Sequence, residues 1–112
     1  IHDNVKQAIV DMDELGTVLV GRTLRNTARV ARNAVSEQVA EIQKDPTKTF
    51  EDVKALMAGQ RGRENVLRDG DTDGGIWTSG QSQALIHDIP TCADLVKNIM
   101  AQAEAVRKRV AA

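Results

Sequence analysis

Asp69-Gly70-Asp71-Thr72-Asp73-Gly74-Gly75-Ile76-Trp77-Thr78-Ser79-Gly80-Gln81 is the stretch of the chain on which fold and function depend most. Aspartate stands at every second position of its first half, a spacing that imitates the start of a calcium-binding loop. The second half combines glycines with a tryptophan and with hydroxyl and amide side chains. That composition suits a wall against a flat ligand. The two interpretations exclude each other.

The calcium interpretation fails in the second half of the stretch. A loop of the EF-hand type places oxygen ligands at positions 1, 3, 5, 7, 9 and 12 and glycine at position 6. Counted from Asp69, the first three ligands and Gly74 fit. Trp77 then stands at the ninth position, and Gly80 stands at the twelfth, where a bidentate glutamate is needed. We therefore expect polar turns and no metal site, and keep a calcium-binding loop as a disfavoured alternative.

Length and composition indicate one globular domain at most. The chain has 112 residues, of which 41% are hydrophobic and 28% are charged, with a net charge of -1. This charge gives no general attraction to nucleic acids or anionic lipids. No apolar run approaches the roughly 18 residues of a membrane span. The single cysteine, Cys92, excludes an intramolecular disulfide, and we expect a cytoplasmic protein.

Apolar periodicity predicts a mainly α-helical chain with about five helices and one short strand. Four helices are predicted: one with Asp3 as N-cap, one from Asn26 to Gln43, one that begins at Thr49 with Asp52 completing an acidic variant of the capping box, and one that begins at Thr91. Short helices are also predicted over residues 63–68 and 79–87. The only convincing strand is Thr17–Val20, a β-branched run between two glycines. A lone strand needs a partner, and the chain opens at Ile1 rather than at methionine. Both features lead us to expect a piece of a longer protein.

The last predicted helix is the clearest, because Thr91 and Asp94 form an acidic variant of the capping box at its start. Its apolar positions form a continuous stripe: Leu95, Val96, Ile99, Met100, Ala103 and Val106. The helix ends in basic residues, which complement the negative end of the helix dipole. This pattern predicts a long amphipathic helix with one buried face.

Four segments, taken in order, resemble the C-terminal region of the nitronate monooxygenase family, formerly called 2-nitropropane dioxygenases. The segments are Arg22–Asn33, Gly59–Arg63, Gly70–Gln81 and Leu85–Pro90. The resemblance implies an FMN-dependent oxidoreductase whose α/β TIM barrel carries an inserted helical substrate domain. A complete barrel needs about 250 residues. The chain would then be a C-terminal fragment: residues 1–16 a barrel-associated helix, residues 17–90 the inserted domain, and residues 91–112 the helix returning to the barrel.

The resemblance also implies which residues face the cofactor and the substrate. The residues expected at FMN are Gly75, Ser79, Gly80 and Gln81. The residues expected in the substrate pocket are Trp77, Ile76 and Arg25. The catalytic histidine of the family belongs to upstream barrel segments, and neither His2 nor His87 lies in a matching motif. We therefore assign no catalytic residue in this chain and expect the 112 residues alone to be inactive.

Alternatives remain open at this point. Within the same family, the complete protein could be an NAD(P)H:quinone reductase instead of a nitronate monooxygenase. From another class, the chain could be a helical interaction module without chemistry. The expected partners are a small-molecule substrate (nitronate, quinone or NAD(P)H) and the remainder of the barrel, with homo-oligomer formation as an option and no nucleic acid or membrane. Arg25, Arg29 and Arg32 have helical spacing, for which structural salt bridges are favoured over ligand phosphate and nucleic acid.

Overall fold

A computed structural model describes residues 1–111 of the chain. Its elements, in chain order, are α1 (Asp3–Asp11), β1 (Thr17–Val20), β2 (Ala28–Ala31), α2 (Ala34–Ile42), α3 (Phe50–Val53), α4 (Gly59–Arg61), a π-helix (Gly62–Arg68), a 3-10 helix (Gln81–Leu85) and α5 (Cys92–Ala111). About half of the chain is helical. The mainly helical prediction is therefore confirmed, and the prediction of a single strand is wrong.

The predicted strand Thr17–Val20 finds its partner within the chain. β1 pairs with β2 in an antiparallel hairpin whose register joins Thr17 to Ala31 and Val20 to Ala28. The predicted helix from Asn26 to Gln43 is therefore wrong over residues 26–33: residues 28–31 form a strand, and α2 begins only after Asn33. The apolar residues of β2 fit a helical period as well as a strand, and pairing with β1 decides between the two.

The hairpin divides the interior into two hydrophobic clusters because successive side chains of a strand point to opposite faces. The first cluster, between the hairpin, α1 and the π-helix, contains Val5, Ala31, Val66 and Trp77. The second, between the hairpin, α2 and α3, contains Val20, Val30, Val39 and Val53. Seven of these eight residues are aliphatic, as the scarcity of aromatic residues predicts.

Several helix ends differ from the predictions by a few residues. His2, not Asp3, is the N-cap of α1, since its Nδ1 accepts a hydrogen bond from Asn4 N at 3.1 Å. Thr49 and Asp52 form the predicted capping box, but α3 is only four residues long. The short helix predicted over residues 63–68 is a π-helix of seven residues. A π-helix of this length is rare, and such segments often occur at functional sites.

α5 is the predicted long C-terminal helix, with Thr91 Oγ1 accepting a hydrogen bond from Asp94 N at 3.2 Å. Within residues 92–111, however, no residue is buried. The apolar stripe is open to solvent, with Ile99 55% exposed and Met100 64% exposed. No helix in the described part of the chain is long and apolar enough to cross a membrane.

Candidate functional site

The stretch from Asp69 to Gln81 is held to the rest of the protein by Asn33, the N-cap of α2. Asn33 Nδ2 donates to Thr72 O at 2.8 Å and to Gly75 O at 2.9 Å. Its Oδ1 accepts from Ser36 N at 2.8 Å, which completes the capping box of α2. The start of the helix and the turn of the stretch therefore depend on one buried amide side chain. The predicted helix from Asn26 to Gln43 passes through Asn33, so the prediction assigns this residue no separate role.

The three aspartates of the stretch hold turns and helix ends. Asp73 Oδ1 accepts from Ala34 N at 3.0 Å, so Asp73 caps α2 from a distant part of the chain. Asp71 Oδ1 accepts from Asp73 N at 3.2 Å. Asp69 makes two hydrogen bonds to Arg68, at 2.6 and 2.8 Å, and this guanidinium lowers the pKa of the carboxyl. Across residues 1–111, no group of three or more His, Cys, Asp or Glu side chains could hold a metal ion.

The stretch then continues along the free edge of β2. Ala31 N donates to Trp77 O at 3.0 Å, and Thr78 forms a bridge with Val30. Like a third strand, it sends alternate side chains to opposite faces: Ile76 packs against the second cluster, and Trp77 belongs to the first. The indole Nε1 of Trp77 donates to Thr72 O at 3.1 Å, which fixes the ring.

Gly75 lies where the backbone of another segment leaves no room for a side chain. A Cβ on Gly75 would lie 2.8 Å from Gly62 N, and a Cβ on Gly62 would overlap the carbonyl oxygen of Ile76. The backbone at the start of the π-helix and the backbone of the stretch therefore touch directly. The backbone of neighbouring residues occupies the position that a Gly75 side chain would take. Gly75 therefore packs inside the protein and does not face a ligand.

Gly80 and Gln81 have the opposite surroundings. The only atom within 4 Å of a Cβ built on Gly80 is Ser82 Oγ, at 3.7 Å. Gly80 and Gln81 are both exposed, whereas Ser79 is buried. Of the four residues predicted to contact FMN, two therefore present free surface to a ligand, and Gly75 and Ser79 lie inside the domain.

Ile76 and Trp77 share an open cavity of about 360 Å³ between α1 and the π-helix. Its other lining residues are Ile1, Val5, Ile9, Gly59, Gly62, Arg63, Leu67 and Thr78. The size lies at the lower end of the range for small-molecule sites, and the mostly apolar lining is typical of them. Two of the three residues predicted for a substrate pocket, Ile76 and Trp77, thus line this cavity, and their role toward a substrate stays a prediction.

Arg25, the third predicted pocket residue, is not among the residues that line this cavity. It is exposed in the hairpin loop, with φ +55, the only non-glycine residue of the described chain in the left-handed region. The predicted helical stripe of arginines is absent because Arg25 lies in a loop and Arg29 in β2. Arg32 makes an ion pair with Glu37 at 3.4 Å, which agrees with the salt-bridge interpretation.

Comparison with known proteins supports the fold alone. No family model matches the chain. A solved structure of FabK from Thermotoga maritima matches 98% of this chain with a TM-score of 0.81 and 24% identity. A single-substitution mutant of the same FabK matches 97% of it with a TM-score of 0.75 and 23% identity. The match covers 34% and 31% of those chains, so this chain has the fold of about one third of FabK.

Proposed function

We propose that the chain is the C-terminal part of an FMN-dependent oxidoreductase of the nitronate monooxygenase type. The observation that carries this proposal is the fold match, which extends over nearly the whole chain. FabK is an FMN-dependent enzyme with a TIM barrel, and its superfamily is the one that the motifs resemble. The order of the motifs supports the same assignment independently, because it is a property of the sequence and does not depend on the fold.

The residues present fit a role at the edge of a flavin. Gly80 offers bare backbone with open space before it, and the exposed amide of Gln81 carries a donor and an acceptor. Gly75 packs against Gly62, and Ser79 is buried, so both lie inside the segment. FMN, when bound in the complete protein, would supply transfer of a hydride or of electrons. The chain would supply the cover over the flavin and the cavity beside Trp77.

The exposed stripe of α5 supports the proposal that the remainder of a barrel packs on this helix. Six apolar positions of α5 are about half exposed or more: Leu95, Val96, Ile99, Met100, Val106 and Val110. A continuous apolar face of this kind marks a contact surface. In this proposal, residues 91–112 return to the barrel, while residues 17–90 form the inserted domain. An interaction module without chemistry would use the same face for a different protein.

The test is the flavin content and activity of the complete protein from which the chain comes. We expect the purified protein to carry FMN and to oxidise an alkyl nitronate or to pass electrons from NAD(P)H to a quinone. The preferred substrate separates nitronate monooxygenase from quinone reductase. A complete protein that neither retains nor binds FMN would overturn the proposal.

A matched pair of variants tests the role of Gly80. Gly80→Val adds a side chain to open space, so we expect the fold to survive and the affinity for FMN to fall. Gln38→Val, at an exposed position of α2, serves as the control and should bind FMN as the wild type does. Equal FMN affinity in both variants would remove Gly80 from the flavin site.

A further inference from the structure

We propose that the cavity beside Trp77 binds a small organic anion with an apolar body, and that Arg63 selects its anionic group. The inference rests on the proposed function only for the claim that such an anion is the substrate of the complete protein. The site itself rests on the lining of the cavity.

The apolar part of the site is formed by three elements. Six apolar side chains line the cavity: Ile1, Val5, Ile9, Leu67, Ile76 and Trp77. Gly59 leaves its part of the wall open, since no atom lies within 4 Å of a Cβ built on it. A cavity of about 360 Å³ with this lining accommodates a short alkyl or ring system and removes its apolar surface from water.

Arg63 is the one charged side chain among the lining residues. Its neighbours on the same helical segment are engaged elsewhere: Arg61 Nε donates to Gly74 O at 3.2 Å, and Arg68 pairs with Asp69. Within residues 1–111, Arg63 makes neither a side-chain hydrogen bond nor an ion pair. A guanidinium without a partner at the rim of an apolar cavity is complementary to a carboxylate or a similar planar anion. The hydroxyl of Thr78 is the other polar side-chain group in the lining.

The backbone that carries Arg63 is fixed before any ligand arrives. Gly62, the preceding residue, is buried, the position that its Cβ would take is occupied by Ile76 O, and Val66 in the next turn is fully buried. Arg63 therefore projects from a rigid segment whose distance to Trp77 is set by backbone contact. Such preorganisation reduces the entropy lost on binding.

Trp77 is the only tryptophan of the chain and lines the cavity, so its fluorescence reports on this site. The experiment titrates the full 112-residue chain with hexanoate and, in parallel, with 1-hexanol, which has the same number of carbons and no charge. We expect saturable changes in emission with tighter binding of hexanoate. Acetate, which lacks the apolar body, should bind much more weakly.

Three variants separate the charge from the cavity. Arg63→Gln should weaken hexanoate binding by roughly tenfold, the usual size for one charge-assisted hydrogen bond, and leave 1-hexanol unchanged. Arg68→Gln removes a charge from the same π-helix outside the cavity and should change neither ligand. Gly59→Leu places a side chain in the open space and should abolish binding of both.

Two results would overturn the inference: an Arg63→Gln variant that binds hexanoate as the wild type does, or an emission that shows no saturable change with any probe. These outcomes are independent of the flavin test. A chain that binds hexanoate through Arg63 keeps its anion site even if the complete protein lacks FMN. A complete protein with FMN keeps the proposed function even if Arg63 is indifferent.

Discussion

The body of the chain, residues 1–85, and its last helix, α5, use similar apolar residues with opposite results. Val39 in α2 is fully buried in the second cluster, whereas Val96 in α5 is 61% exposed. Both residues stand on the apolar stripe of an amphipathic helix. The difference shows that periodicity predicts which face of a helix is apolar, and that burial requires a partner surface, which the described chain offers to α2 and not to α5.

The two regions are also stabilised over different distances along the chain. The body is closed by hydrogen bonds between remote residues, such as Gln83 Nε2 to Asp13 O at 2.8 Å. α5 has its N-cap and neighbouring ion pairs, such as Arg107 to Glu104 at 2.7 Å. Local interactions of this kind are worth only about 0.2–0.5 kcal/mol each on an isolated helix. The body should therefore respond strongly to single substitutions, and α5 should respond weakly.

The largest effect is expected at Gly62. In Gly62→Ala the new Cβ would overlap Ile76 O, so two backbones must separate, and we expect a loss of at least about 3 kcal/mol in the free energy of unfolding. Gly59→Ala is the matched control, because its Cβ meets open space and alanine favours a helix by about 1 kcal/mol. Urea denaturation followed by circular dichroism measures both. Equal stability of the two variants would show that the close contact is absent in solution.

A smaller loss is expected at Asn33. Asn33→Ala removes the cap of α2 and leaves two carbonyl groups without their donor, and we expect the free energy of unfolding to fall by about 2–3 kcal/mol. Asn33→Asp keeps the acceptor for Ser36 N and loses the donors to Thr72 O and Gly75 O. If Asn33→Asp is as stable as the wild type, the hydrogen bonds from Asn33 Nδ2 to Thr72 O and Gly75 O contribute nothing to the free energy of unfolding. An intermediate stability assigns the loss to both ends of the side chain.

A local effect of pH is expected at α3. The backbone N–H of Thr49, and then Lys48, lower the pKa of Asp52 below its ordinary value of 3.8. A lowered pKa in the folded state means that the capping interaction is fully present above the ordinary value and is lost as pH falls through the folded pKa. NMR titration should show Asp52 titrating below a model carboxyl, together with fraying of α3. Asp52→Asn removes this titration, so α3 should no longer fray as pH falls. The prediction is contradicted if α3 frays over the same pH range in that variant as in the wild type.

The smallest effect is expected in α5. Ile99→Ala should change the free energy of unfolding of this chain by less than about 0.5 kcal/mol, since Ile99 is 55% exposed. Val39→Ala, at a fully buried position, is the comparison in the body and should cost about 2 kcal/mol. If α5 packs on a barrel in the complete protein, Ile99→Ala should become costly there. A similar loss for both variants in the 112-residue chain would show that α5 is already packed.

The sequence predicted the elements that depend on local signals. The strand Thr17–Val20, the capping box at Thr49 and the long helix after Thr91 all follow from residues within a few positions of one another. β2 was missed because its conformation depends on pairing with β1, and its residues fit a helical period equally well. The sequence does carry a signal for the end of β2. Asn33 and Ser36 have the spacing of a capping box, which predicts a helix that begins at Ala34.

The residues of the candidate site show the same dependence on remote contacts. The sequence drew attention to Ile76 and Trp77, which line a cavity. Arg63 stands in one of the segments that carry the resemblance, but no pocket role is predicted for it, because it reaches the cavity from a position 13 or more residues away along the chain. It also could not tell that Gly75 is packed against Gly62 while Gly80 is free, since that difference depends on a contact between two backbones. Contacts between remote residues thus decide both the second strand and the role of each glycine.

The hydrogen bonds of Asn33 have a consequence for synthesis on the ribosome. Asn33 Nδ2 bonds to Gly75 O, 42 positions later in the chain. At about 5–20 residues per second, roughly 2–8 s pass between the synthesis of these two residues. During that interval the start of α2 lacks the cap that Asp73 provides and the valines of the hairpin lack part of their cover. A chaperone that binds exposed aliphatic segments therefore has these few seconds in which to bind the nascent chain.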